Sequence, residues 1–254
     1  MTQERIGIFD SGVGGISILN KLLNGTTLTE CVYVADTAYL PYGDKSKRVL
    51  LERGRVVTNT LLSYGITTII VACHTSSATT LPILQKEFPQ VTFIDMLAPT
   101  VIAAASLTHN NNVGVIATSA TIANHSHKTI LKTIAPDIEL FEQACPLLVP
   151  LIEEQKIATP ESVTILKNYL EPLHKKNIDT LILGCTHYAF LEDTIKQIAP
   201  HLTLISARSC TILKQINRTD CKLIFLTSNK NKFLESNALN FLNRKNIPIE
   251  LNSF

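Results

Sequence analysis

Thr67-Thr68-Ile69-Ile70-Val71-Ala72-Cys73-His74-Thr75 and Asp179-Thr180-Leu181-Ile182-Leu183-Gly184-Cys185-Thr186-His187 decide how this chain is read. Each is an apolar run that ends in a small residue and then a cysteine, with Thr and His beside it. A short apolar run rich in β-branched residues reads as a buried strand. The two cysteines stand 112 residues apart, as if each belonged to one half of a duplicated fold. A cysteine just past a buried strand is placed to face a cleft. Two of them, one per half, can face each other across one substrate. That arrangement suits taking a proton from one face of a carbon and returning one to the other.

Outward from these segments, strand-like runs fall near 5–9, 31–35, 67–72, 91–95, 112–117, 137–141, 179–184, 202–206 and 222–227. Segments of helical period lie between them, near 14–24, 45–64, 76–88, 98–107, 120–133, 147–155, 160–175, 188–199, 207–216 and 230–245. Strand and helix alternating at this spacing predict an α/β protein with mostly parallel sheets. A crevice at the C-terminal ends of such strands is the expected ligand site, and both cysteines lie where strands would end.

Bulk composition agrees with a globular chain. Of 254 residues 45% are apolar and 17% charged, with a net charge of +2. That near-balance gives no reason to expect nucleic acid or an anionic membrane as a partner. No apolar run reaches the roughly 18–20 residues that span a bilayer. Met1-Thr2-Gln3-Glu4-Arg5 leads straight into Ile6-Gly7-Ile8-Phe9 with no apolar leader, so a cytoplasmic protein is expected. The six cysteines, Cys31, Cys73, Cys145, Cys185, Cys210 and Cys221, show no CxxC pair. In a reducing compartment their default is free thiols, and Cys31 and Cys221 read most clearly as inert core.

Other segments are ambiguous when taken singly. Asp10-Ser11-Gly12-Val13-Gly14-Gly15 follows a strand and opens a helix, as a carboxylate- or phosphate-binding turn would. Its spacing is neither GxGxxG nor GxxxxGK[ST], and a capped βα turn explains it equally well. Asp36 to Ser46, with Pro41-Tyr42-Gly43, is a polar loop at a strand end. Glu153-Glu154 closes an apolar stretch and could simply turn a helix face to water. Zinc sites bring paired ligands at short spacing, whereas Cys73, His74, Cys185 and His187 form distant pairs, so a metal is disfavoured. A Cys–His nucleophile would leave the second cysteine unexplained. Two cysteines buried at strand ends remain the bland alternative.

Together these segments resemble the glutamate racemases of the cofactor-independent aspartate/glutamate racemase superfamily. The likeness runs from Gly7 to about Ser209. It also takes in Ala117-Thr118, Ala120-Thr121-Ile122, Val149-Pro150-Leu151-Ile152-Glu153-Glu154 and Tyr188. The resemblance implies two pseudo-symmetric α/β domains around a cleft, residues 1–97 with 207–254 and residues 98–206. It implies interconversion of L- and D-glutamate for peptidoglycan, without cofactor or metal. Cys73 would take the α-proton of the D-isomer and Cys185 that of the L-isomer. Asp10 would assist near Cys73, and Glu153 and His187 near Cys185. Substrate would be held by Asp10, Ser11, Pro41, Tyr42, Gly43, His74, Thr75, Thr118, Thr186 and His187. The expected partners are glutamate and, as an assembly, a homodimer, with neither nucleic acid nor membrane.

The physical logic stands beside the name. A free thiol has a pKa of about 8.5, so neutral pH leaves only a small thiolate fraction. Each turnover needs one thiol ionised and the other protonated, and nearby acids and a histidine can set those states. No motif for a pyridoxal-type electron sink is evident, so hydrogen-bond donors must stabilise the developing carbanion.

The chain departs from the pattern in four places. His74 stands where the family has asparagine after the first cysteine. Ile205-Ser206-Ala207 lacks the family's aspartate, Tyr188-Ala189-Phe190 lacks its proline, and Thr227-Ser228-Asn229-Lys230 only loosely matches its Thr-Gly/Ser-Asp turn. The alternatives are a racemase of another amino acid such as aspartate, or a binding homologue with impaired catalysis.

Overall fold

A computed structural model of the protein describes residues 4–23, 28–209, 221–229, 236 and 249–254. The elements in chain order begin with β1 (Glu4–Asp10), α1 (Ile16–Leu23), β2 (Leu28–Ala35), α2 (Lys47–Ser63) and β3 (Thr68–Val71). They continue with α3 (His74–Thr79), α4 (Leu81–Glu87), β4 (Thr92–Asp95), α5 (Leu97–Leu107), β5 (Asn112–Ala117), α6 (Ser119–Ala123) and α7 (Ser126–Ile134). Then come β6 (Glu139–Ala144), α8 (Leu148–Glu153), α9 (Pro160–His174), β7 (Thr180–Gly184), α10 (Glu192–Ile198), β8 (Thr203–Ser206), β9 (Lys222–Thr227) and β10 (Ile249–Ser253). Two parallel sheets result, ordered β10-β9-β2-β1-β3-β4 and β6-β5-β7-β8.

Each sheet is covered on both faces, which is why its central strands β1, β3, β5 and β7 are largely apolar. Along β2 the buried side chains alternate. Cys31, Tyr33 and Ala35 join one core layer, and Val32 and Val34 join the other. Two further layers flank the second sheet, with Leu181 and Leu183 on one side of β7 and Ile182 on the other.

The topology fixes where a ligand can go. In the first sheet β1 lies between β2 and β3. In the second, β5 lies between β6 and β7 in the same way. Strand order reverses at β1 and at β5, and a crevice opens at such a switch point beyond the strand ends. The residues that follow β1 and β3 are Ser11 and Ala72-Cys73; those that follow β5 and β7 are Thr118 and Cys185. The repeated cysteine segments are therefore equivalent strands of two like sheets.

Several elements differ from the sequence reading. The helix expected over 76–88 is two, α3 and α4, separated at Thr80. Pro82 has no N–H for the Ala78 carbonyl, and that carbonyl accepts from the Ser126 hydroxyl instead (3.3 Å). The segment 120–133 divides into α6 and α7 at His125, which takes a left-handed conformation (φ 53°). β6 sits two to three residues later than 137–141, pairing Asn112 with Glu139 and Ala117 with Ala144; polar Glu142 and Gln143 masked its end. The first turn of the 188–199 segment is 3-10 helix, Thr186–Leu191. β10, which the periodicity did not suggest, adds an edge strand along β9. The segments near 207–216 and 230–245 fall largely outside the described residues. Among the described residues no helix is long and apolar enough to cross a membrane.

Candidate active site

A narrow cavity, with about 10 Å³ open to water, lies where the two crevices meet. Its lining includes Ser11, Tyr42, Gly43, Cys73, His74, Thr75, Thr118, Cys185, Thr186 and His187. Leu40 and Val149 complete the wall; as apolar residues among motifs, they gave the sequence reading no signal. Asp10 and Glu153 stand one layer back, each bonded to a lining residue. Pro41 lies half-buried in the loop that carries Tyr42 and Gly43.

Two glycines allow this convergence. A Cβ at Gly14 would stand 2.3 Å from the Thr186 hydroxyl oxygen and 2.7 Å from its backbone carbon. A Cβ at Gly43 would stand 2.5 Å from that of Thr118. Each contact brings the first sheet's loops against the second's, so these positions admit no side chain without moving the halves apart.

On one wall, Cys185 follows β7 and is 8% exposed. Its sulfur lies 3.9 Å from Nδ1 of His187, whose Nε2 lies 2.8 Å from the Glu153 carboxylate. Burial alone would lower the His187 pKa. The hydrogen bonds to Cys185 and Glu153 and the charges of Cys185 and Asp10 outweigh it and raise the value to about 10. His187 is therefore an imidazolium at neutral pH, a cation beside a sulfur that must carry negative charge to act as a base. The neighbouring Glu154 is exposed and pairs with Lys156, so Glu153 is the acid that faces the site.

On the other wall, Cys73 caps the N-terminus of α3 and donates its thiol to the Ser11 hydroxyl at 3.9 Å. Burial pushes this thiol up to about 12, and the charges of Asp10 and Cys185 add to the shift. The backbone N–H and hydroxyl of Ser76 act the other way, and that hydroxyl reaches no partner within hydrogen-bond geometry. Asp10 is wholly buried and its own pKa is raised, first by burial; the His187 charge, the Gly12 and Gly15 N–H groups and the Thr186 hydroxyl oppose that rise. The two walls thus differ at rest: Cys73 is held as a proton donor, while Cys185 sits against a cation.

Hydroxyls join the walls. Thr75 and Thr118 are 2.9 Å apart, and Thr118 also lies 2.9 Å from Thr121 while capping α6. His74 is buried with neither ring nitrogen partnered among the described residues, and it stacks on His127 at 6.1 Å between ring centroids. Burial lowers the pKa of His74 to about 3 and of His127 to about 4, so both rings are neutral.

The remaining described cysteines, Cys31, Cys145 and Cys221, are buried free thiols away from the cavity, whereas Cys210 lies outside the described residues. Among the described residues no cluster of three or more His, Cys, Asp or Glu side chains gathers as a metal would require.

A family model for Asp/Glu/hydantoin racemase matches residues 37–231. The chain is 38% identical over 234 residues to the glutamate racemase of Persephonella marina, covering 90% of each. Its fold is similar to a glutamate racemase isoform from Bacillus anthracis, with a TM-score of 0.88 at 28% identity, over 99% of this chain and 98% of that one. It is also similar to the Francisella tularensis glutamate racemase solved with D-glutamate, with a TM-score of 0.84 at 28% identity over 99% and 97% of the chains.

Proposed function

The chain belongs to the Asp/Glu/hydantoin racemase family, and on that ground we propose that it interconverts L- and D-glutamate by two-thiol proton transfer. The D-glutamate goes to peptidoglycan and so to cell-wall building and cell shape. The observation that carries the two-thiol reading is that Cys73 and Cys185, from equivalent strands of two like sheets, line one cavity.

From L-glutamate, the Cys185 thiolate takes the α-proton and becomes a thiol. The Cys73 thiol gives its proton to the opposite face of the carbanion, leaving D-glutamate and a Cys73 thiolate. The reverse direction exchanges the roles. Before the next turnover in the same sense, a proton leaves Cys185 and one returns to Cys73. His187, backed by Glu153, holds the charge balance on the Cys185 side, and Asp10 does so beside Cys73. The α-proton of an amino acid is weakly acidic, so the carbanion needs donors fixed in place before it forms. Ser11, Thr75 and Thr118, which line the cavity, supply them, with Pro41, Tyr42, Gly43, His74 and Thr186 completing the substrate's surroundings.

Sheet membership supports a division into residues 1–97 with 207–254 and residues 98–206. The free thiols this chemistry requires stay reduced in the cytoplasm, which supports that location. A homodimer is the assembly we assign, and sedimentation tests it. The central test is glutamate racemisation in heavy water. Wild type incorporates deuterium at the α-carbon, and Cys73→Ala and Cys185→Ala each abolish racemisation. Racemisation that survives either substitution rules out the two-thiol mechanism.

A further inference from the structure

Tyr42 lines the cavity, and its ring packs edge-on against Phe9. Its hydroxyl donates to the Asp36 carboxylate at 2.5 Å. Arg53, reaching down from α2, grips the same carboxylate with both arms of its fork, at 2.8 Å each. The guanidinium also lies over the Tyr39 ring, 4.2 Å from its centroid. Asp36 is fully buried at the end of β2, and its N–H donates to the carbonyl of Asp10 at 3.0 Å. Arg53 does not touch the cavity.

We propose that Asp36 and Arg53 are positioning residues for glutamate, which hold Pro41-Tyr42-Gly43 at a fixed distance from Asp10 and Cys73. This rests on the glutamate reading above. The loop from Thr37 to Asp44 is short 3-10 turns with little regular pairing of its own. Its place is set at one end by the backbone bond from Asp36 to Asp10, and at the other by Gly43 against Thr118. Between those ends, Thr37 and Ala38 bond Thr227, Ser228 and Asn229 at the end of β9, and the cavity-lining part of the loop is fastened by the Tyr42 hydroxyl on Asp36. A buried carboxylate can serve as an anchor only if its charge is met, and a bidentate arginine meets it in a fixed plane. Lysine would keep the charge but lose the plane. Burial and the Asp36 charge hold the Tyr42 phenol well above its ordinary pKa, so it stays a donor across the working pH range.

The test is steady-state kinetics on Arg53→Lys, Tyr42→Phe and the double variant, with thermal midpoints measured alongside. Each single variant is expected to raise KM for glutamate about tenfold and change kcat less than about threefold, the signature of lost uniform binding. Because both act through one carboxylate, the double variant is expected to match the worse single variant rather than the product of the two. A purely structural role would lower the thermal midpoint and the active fraction while leaving KM unchanged, and that result overturns the proposal. Multiplicative effects in the double variant overturn it as well. Wild type in the same assay separates the two levels. If it fails to racemise glutamate, the racemase reading falls and takes this proposal with it. If it racemises glutamate and both single variants keep its KM, the positioning proposal alone falls.

Discussion

The Thr186 hydroxyl donates to the Asp10 carboxylate at 3.1 Å, a bond that joins the turn after β7 to the end of β1. Asp10 therefore belongs to both walls, since its charge also bears on Cys73 and on His187. A buried negative charge beside a thiol opposes ionisation. Asp10→Asn removes that charge at nearly constant shape. The Cys73 thiol, held near 12 in part by Asp10, is then expected to ionise at lower pH. The difference in thiolate absorbance between titrations with and without Asp10→Asn, both in a Cys185→Ser background, reads this. Racemisation is expected to fall by roughly 10²- to 10⁴-fold as an acid–base partner is lost. An unchanged titration would show that Asp10 does not reach Cys73 electrostatically.

His187 touches one sulfur and not the other, so its loss is expected to slow one half-reaction. The equilibrium constant between mirror-image substrates is unity, so kcat/KM must fall equally in both directions. Rate constants alone cannot expose the asymmetry; isotope effects can. In His187→Asn, removal of the α-proton by Cys185 becomes more nearly rate-limiting. The primary effect with α-deuterated L-glutamate is expected to rise, and that with α-deuterated D-glutamate to fall. Equal effects from both isomers would contradict the assignment of His187 to the Cys185 side.

Much of this was legible in the sequence, for a physical reason. The strands are buried on both faces, so their apolar runs stand out, and each chemical group follows a strand end directly. The chain order of Asp10, Cys73, Thr118 and Cys185 thus carries the site almost by itself. What was not legible depends on contacts across the fold. Nothing local in Leu40 or Val149 says that they wall the cavity. The resemblance named Glu153, but which of Glu153 and Glu154 faces the site is shown only by the bond from His187 to the first. The break between α3 and α4 was signalled by Pro82, but the Ser126 hydroxyl that satisfies the freed carbonyl comes from far along the chain. β6 was misplaced because polar Glu142 and Gln143 lie on an edge strand, where periodicity is weak.

Close approach at Gly14 gives a sharp stability prediction. Alanine there would place Cβ 2.7 Å from the Thr186 backbone carbon, a clash no rotamer relieves. Gly14→Ala is expected to cost about 1–3 kcal/mol as overpacking and to reduce kcat/KM by displacing Thr186 from Asp10. Gly54, inside α2, is the control. A Cβ there would meet the Leu84 side-chain tip at 2.8 Å, which can swing away. The helix-propensity gain of roughly 1 kcal/mol from glycine to alanine offsets that adjustment, so near-neutral stability is expected. Urea midpoints of both variants check the contrast, and equal losses would refute it.

The buried imidazoles give stability opposite pH dependences on the two sides of neutrality. For His74 and His127 the folded values, about 3 and about 4, lie below the ordinary value of 6.5, so the unfolded chain binds more protons between these limits. Their contribution is present above about pH 6.5 and is lost as pH falls toward the folded values. For His187 the folded value, about 10, lies above 6.5, so its contribution is complete below 6.5 and is lost as pH rises through about 10. Urea unfolding from pH 4 to pH 10 is expected to show both declines. His127→Leu removes one depressed group and the charge repulsion it would exert on a protonated His74. It also removes two buried nitrogens that have no partner among the described residues. Leaving such atoms unmet costs about 1–3 kcal/mol each, so the variant is expected to be at least as stable as wild type at neutral pH. Its acid decline is expected to be shallower and its alkaline decline unchanged, because His187 is untouched. An acid limb as steep as that of wild type would mean that other groups drive the loss of stability at low pH.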